Sequence, residues 1–135
     1  MNFSTYKYAT TLPIILSGFL LLLLTSCKET RTMEVTATAY NSVEYQTKKG
    51  DTFTAAWGDK LQPGMKAIAV SRDLIPEGLD HRTEVKIEGL DGTYLVLDKM
   101  NKRWKQKIDI YMGMDIAKAR EWGKRKVNIE WEVDQ

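Results

Sequence analysis

The chain divides where its apolar pattern changes character. From residue 12 to residue 24 it runs thirteen residues without a charge, with Lys7 before the block and Lys28, Glu29 and Arg31 after it. A helix that spans a bilayer needs about 20 apolar residues. The block is too short for that and has the form of a secretory signal core instead. Beyond it, short alternating runs take over. Residues 35–40 (VTATAY) alternate and are rich in β-formers, which predicts a strand. Residues 66–70, entered through Pro63-Gly64, predict a second. Residues 84–88 and 94–97 predict a pair joined by the hairpin turn Gly89-Leu90-Asp91-Gly92. Residues 107–112 place Ile108 and Ile110 on one face with Asp109 and Tyr111 on the other, and residues 127–133 alternate through four apolar positions.

Between these runs the punctuation is equally clear. Residues 41–51 are polar and turn-rich, and Ile75-Pro76-Glu77-Gly78 is a turn because proline pushes the residue before it out of the helical region. One helix is expected, over residues 115–122, with Ile116 and Ala119 on its apolar stripe and Gly123 ending it. Six short strands with one helix before the last predict a mainly β protein, a small barrel.

The junction after the apolar block is more specific. Leu24-Thr25-Ser26-Cys27 resembles the lipobox of bacterial lipoproteins, with small residues before a cysteine that receives the lipid. Cys27 is the chain's one cysteine, so no internal disulfide can form. The resemblance implies a signal peptide at residues 1–26 and a lipidated tether at residues 27–33. A folded domain would then occupy residues 34–135. It further implies attachment to a membrane through two or more acyl chains. Lys28, where a retention signal would carry aspartate, implies the periplasmic face of the outer membrane if the host is Gram-negative.

Composition narrows the chemistry. The 20 basic and 18 acidic residues are too balanced for a nucleic-acid surface. A single histidine, His81, leaves no room for a Ser-His-Asp relay or a histidine metal site, and in the polar run Asp80-His81-Arg82 it is expected to be solvated. No glycine-rich phosphate loop is present, and no metal or other cofactor is expected. Carboxylates remain. Asp98 ends the apolar run 94–97, where it either caps a turn or serves as an acid. Asp109 lies inside an alternating strand, a position aspartate avoids without reason. Near apolar walls its charged form loses hydration, which raises its pKa toward that of a general acid. Asp115 precedes the helix and is expected to cap it rather than to catalyse. No feature sets an oligomeric state.

Six landmarks occur in one order: residues 37–40 (ATAY), 54–58 (TAAWG), 68–70 (IAV) running on to 74–78 (LIPEG), 96–98 (VLD), 108–111 (IDIY) and 122–125 (WGKR). Together, over residues 34 to 133, they resemble the 3D domain of membrane-bound lytic transglycosylase A and of stationary-phase survival proteins. That family shares a six-stranded double-psi β-barrel with the RlpA-like proteins and the expansins. The resemblance implies cleavage of peptidoglycan glycan strands to 1,6-anhydro-muramic ends by a single acid that becomes a base, unlike the paired carboxylates of most glycosidases. It makes Asp109 the acid/base and Asp98 its partner, with Tyr40, Thr54, Trp57 and Tyr111 as substrate-binding residues. Two departures stand out: Asp98-Lys99-Met100-Asn101 replaces Asp-Thr-Gly-Gly, and Ser71 stands where the family often has aspartate, with Asp73 two residues on. The alternative expectation is a non-catalytic wall-binding lipoprotein module of the RlpA and expansin kind. A third is a structural lipoprotein that serves an envelope complex.

Overall fold

A computed structural model describes residues 27–42 and 53–134. The expected signal peptide and most of the polar loop at residues 41–51 lie outside them. The strands are β1 (Lys28–Tyr40), β2 (Phe53–Thr54), β3 (Lys60–Leu61), β4 (Ala67–Val70), β5 (Glu84–Ile87), β6 (Thr93–Lys99), β7 (Lys107–Tyr111) and β8 (Arg125–Asp134). A 3-10 turn at Arg72–Leu74 and helix α1 (Ile116–Trp122) complete the set.

Six strands close into a barrel in the order β1-β7-β4-β6-β5-β8. Neighbours β1 and β7 are parallel, as are β4 and β6, and the remaining neighbours are antiparallel. The ring has an internal two-fold. Exchanging β1 with β6, β4 with β7 and β5 with β8 maps the order onto itself. In each half the first two strands are parted by a strand of the other half: β7 sits between β1 and β4, and β4 between β6 and β7. That interleaving defines a double-psi β-barrel, the expected fold. Closure gives each barrel strand a neighbour on both sides, while residues 28–35 of β1 pair with β8 alone.

Alternation explains the interior. Val35, Ala37, Ile68, Val70, Val85, Ile87, Val96, Ile108, Ile110, Val127, Ile129 and Trp131 point inward and are buried. Burying each Val or Ile contributes about 1.5–3 kcal/mol. Trp122 from α1 joins this cluster, and α1 is capped as expected: Asp115 accepts from the Lys118 N–H at 2.9 Å, and Gly123 ends the helix at φ 63°. A second, smaller core lies on the outer face of the wall. Leu97 and Tyr111 from barrel strands, with Ala67, meet Ala55 and Leu61 of the β2–β3 arm, and Tyr40, Phe53 and Leu95 flank them. This satellite core fastens the arm against the barrel.

One expected boundary is corrected. Residues 28–33, read as a tether, are strand: β1 and β8 pair without a break from Lys28↔Asp134 to Ala37↔Arg125. Polar residues fill the outer face of this ribbon, where cross-strand pairs such as Lys28–Glu132 at 3.3 Å stitch it together, while Met33 packs against the core. The folded domain starts directly after Cys27, which is exposed.

Candidate functional site

The site begins with a break in alternation. In β6, Leu95 pairs with Ala67 and Val96 with Ile68, but Ala69 pairs with Asp98, so Leu97 is an extra residue at a β-bulge. Strict alternation would have turned Asp98 to the same side as Val96, into the core. The bulge places it on the outer face beside Ala69 instead. On the other flank of Ala69 stands Asp109 of β7, and beyond it Thr38 of β1. Asp98, Ala69, Asp109 and Thr38 therefore form one row across four neighbouring strands. Two inter-strand steps put the aspartate Cα atoms roughly 10 Å apart. Ala69, with a single methyl, leaves the space between them open.

That space is a shallow groove of about 250 Å³, lined by Tyr40, Phe53, Ala69, Asp98, Lys99, Met100, Asn101, Trp104 and Asp109. Its two carboxylates are held differently. Asp98 Oδ1 accepts from the backbone N–H groups of Ala56 (2.7 Å) and Lys99 (2.9 Å), which fixes that oxygen in place and ties the β2–β3 arm to the wall. Asp109 is half-buried and accepts from the Thr38 hydroxyl at 2.9 Å. Burial pushes its carboxyl above the usual range, and the negative charge of Asp98 adds to this, against the opposing pull of the Thr38 hydrogen bond and the Lys107 charge. Beside them the Tyr40 hydroxyl is buried without a hydrogen-bond partner among the described residues. Burial first, then the charges of Asp98 and Asp109, drive its pKa far up, so it stays a neutral phenol. Its ring packs on Phe53 (5.7 Å between centroids) and Tyr111 (5.5 Å).

Of the residues singled out in the sequence, Asp98, Asp109 and Tyr40 thus meet in one groove. Trp57 stands next to it, one residue from the Ala56 N–H that holds Asp98. Its ring stacks on His81 at 5.1 Å, and Lys99 Nζ lies 4.9 Å from its centre. Tyr111 does not line the groove: its ring is buried in the satellite core and its hydroxyl meets Ser42 Oγ at 2.7 Å. Thr54 is exposed on β2 opposite Lys60 and also lies outside the groove lining. Phe53, Met100, Asn101 and Trp104 line the groove without having been singled out for it; the exposed Trp104, in a polar basic run, was the available signal.

His81, expected to be solvated, is a structural partner. Its Nε2 lies 2.5 Å from Asp59 Oδ2, and Arg82 Nη2 donates to Asp59 Oδ1 at 2.9 Å. The His81 hydrogen bond, more than the charges of His81 and Arg82, holds the Asp59 carboxyl below its usual range. This cluster pins the arm that carries Ala56. Its bonds join Asp59 to residues 22 and 23 positions away, and no local pattern announces it.

No protein-family model matches the chain, and no curated protein does either. Among solved structures it is similar to an expansin from Clavibacter michiganensis. The ligand-free form matches at TM-score 0.49 and 17% identity, and a point mutant in complex with cellohexaose at TM-score 0.45 and 17% identity. Each match covers 78% of this chain and 50% of the expansin, so the chain spans half the length of that protein.

Proposed function

We propose that this chain is a lipid-anchored envelope module that binds peptidoglycan glycan strands in the groove over Asp98, Ala69 and Asp109, without cleaving them. The observation that carries the binding reading is the groove's rim. Met100 and Asn101 put side chains along it where the catalytic relatives suggested by the sequence have bare glycine backbone, and Lys99 beside them stands in place of threonine. A strand lying there meets two carboxylate acceptors for its hydroxyls and apolar surface from Phe53 and Trp104. With Asp98 Oδ1 held by two backbone donors, that oxygen is a fixed hydrogen-bonding point rather than a mobile base.

The anchor reading rests on Leu24-Thr25-Ser26-Cys27 and gains a geometric consequence. With β1 starting at Lys28, Thr38 lies ten residues along a strand, roughly 33 Å from the anchoring end at 3.3 Å per residue. The groove would then face away from the bilayer, toward the wall.

One observation favours the second reading, a lytic transglycosylase: Asp109 has the raised pKa and the half-buried setting of a general acid. One experiment separates the two. All six barrel strands and both cores lie within residues 28–134, so a soluble domain beginning at Lys28 keeps the fold. It is incubated with purified sacculi, followed by co-sedimentation and mass spectrometry for 1,6-anhydro-muropeptides. Binding without anhydro products supports the module. Anhydro products that vanish in Asp109→Asn establish the enzyme instead, and absence of both sinks the groove assignment.

A further inference from the structure

The connection from β6 to β7 holds the densest net positive charge in the chain. Of the nine residues from 99 to 107, five are basic (Lys99, Lys102, Arg103, Lys105 and Lys107) and none is acidic, in a chain whose totals nearly balance. None of the five forms an ion pair with a carboxylate of the described residues. The pairs present there use Lys28, Arg31, His81, Arg82, Lys86 and Lys126. Three of the five are laid over rings instead: Lys99 Nζ lies 4.9 Å from the centre of Trp57, Arg103 Cζ 4.9 Å and Lys107 Nζ 3.8 Å from that of Trp104. A ring quadrupole orients a cation without cancelling its charge. Three carboxylates face this connection. Asp73 feels Lys105, Asp109 feels Lys107, and Asp98 adjoins Lys99, which leaves the cluster positive.

The backbone that carries these charges is fixed. Met100 N–H donates to Val70 O at 2.9 Å, and Arg72 Nε donates to Met100 O at 3.1 Å. Trp104 N–H closes a turn onto Asn101 O at 3.0 Å. Gln106, at φ 46°, donates through its N–H to Asp73 Oδ2 (2.9 Å) and through its side-chain amide to Glu34 O (2.8 Å). Crowded like charges oppose folding, and fastening them in place forgoes the freedom that would relieve them. Such an arrangement is preorganised for an anionic partner. It also borders the groove, because Lys99 and Trp104 belong to its lining.

We infer that this cationic connection makes the groove selective for glycan that carries carboxylates, namely the peptide stems of peptidoglycan, over neutral β-linked glycan. The inference rests on the groove reading above and adds what the groove prefers. A glycan strand seated over Asp98 and Asp109 projects its stems past Lys99, Lys102 and Lys105, and these exposed charges attract them in a salt-dependent way.

The test uses the soluble domain from Lys28 and two probes: sacculi, and the same sacculi with stem carboxylates converted to neutral ethanolamides. At low salt, wild type is expected to bind untreated sacculi at least tenfold more tightly than amidated ones, and added salt should erase the difference. Lys99→Gln/Lys102→Gln/Lys105→Gln should bind both alike, at the amidated level. Lys102→Gln/Lys105→Gln leaves the ring contacts alone and should lose most of the preference. Lys86→Gln, on the opposite wall of the barrel, should keep it. If wild type binds both probes equally, the charge selection is wrong while the groove reading stands. Binding to neither probe overturns the groove reading and this inference with it. A preference that survives in the triple variant shows that another surface reads the charge, and overturns the inference alone.

Discussion

Replacing Thr38 with valine removes one hydroxyl and almost no volume, and it isolates the bond that steadies Asp109. The Thr38 Oγ1 to Asp109 Oδ1 distance is 2.9 Å in a half-buried setting. A hydrogen bond to an ionised group contributes about 1.5–3 kcal/mol and one between neutral groups about 0.5–1.5 kcal/mol. Thr38→Val should therefore destabilise the fold by about 2 kcal/mol where Asp109 is ionised and by about 1 kcal/mol where it is protonated. The sign follows from linkage. The folded pKa of Asp109 is already raised, so its ionisation opposes folding as pH climbs out of the ordinary carboxylate range. Losing the Thr38 donor raises it further, so the deficit of the variant must grow with pH and level off above its own folded pKa. For a domain of this size 1 kcal/mol corresponds to about 4 °C in Tm. Thermal melts followed by circular dichroism at about pH 4.5 and about pH 8 read the difference directly. An equal deficit at both pH values would refute the claim that the hydroxyl acts through the charge of Asp109. No deficit at either would refute the bond itself.

Further substitutions probe the rest of the argument. Asp109→Asn should raise Tm, increasingly so with pH, since it deletes a carboxylate whose charged form the fold disfavours; a Tm below wild type at neutral pH contradicts the burial argument. Asp59→Asn should flatten the acid side of the stability profile. A carboxylate whose folded pKa is depressed contributes stability above the ordinary range, and that contribution fades as pH falls through the folded pKa, which acid titration of wild type and variant compares. Gly78→Ala should cost about 2–4 kcal/mol in denaturant melts, because φ is 98° and the new methyl would run into Val133 Cγ1 and approach Trp131 Nε1 at 3.3 Å. Cys27→Ser should abolish fatty-acid labelling of the chain; unchanged labelling refutes the lipid anchor.

The strands and the helix were legible because they depend on local pattern. Residues 127–133 alternate whatever lies beside them, and Asp115 and Gly123 mark the ends of α1 through bonds within one turn. The ends of β1 and β8 were not legible, since 28–33 is polar and becomes strand by pairing with residues 129–134, about a hundred positions away. The cluster of Asp59, His81 and Trp57 escaped notice for the same reason. Tyr111, one step past Ile110 on the same face as Asp109, was read with the site. The satellite core claims its ring instead, because the β2–β3 arm covers that end of the strand.

By itself the sequence determined which positions face in and which face out on the strands whose alternation is unbroken, such as β7 and β8. It also determined that Asp109 would stand on a polar face between two buried isoleucines. Those are consequences of backbone periodicity, which acts over a few residues. Only the tertiary structure decided that Asp98 belongs beside Asp109. Alternation along β6 would send Asp98 into the core, and the bulge that turns it outward exists because Ala69 of β4 pairs with Asp98 rather than Leu97. The interleaved strand order then sets both aspartates on either side of one alanine. Pairing between distant strands is chosen by the closure of the whole barrel, and no window of sequence contains it.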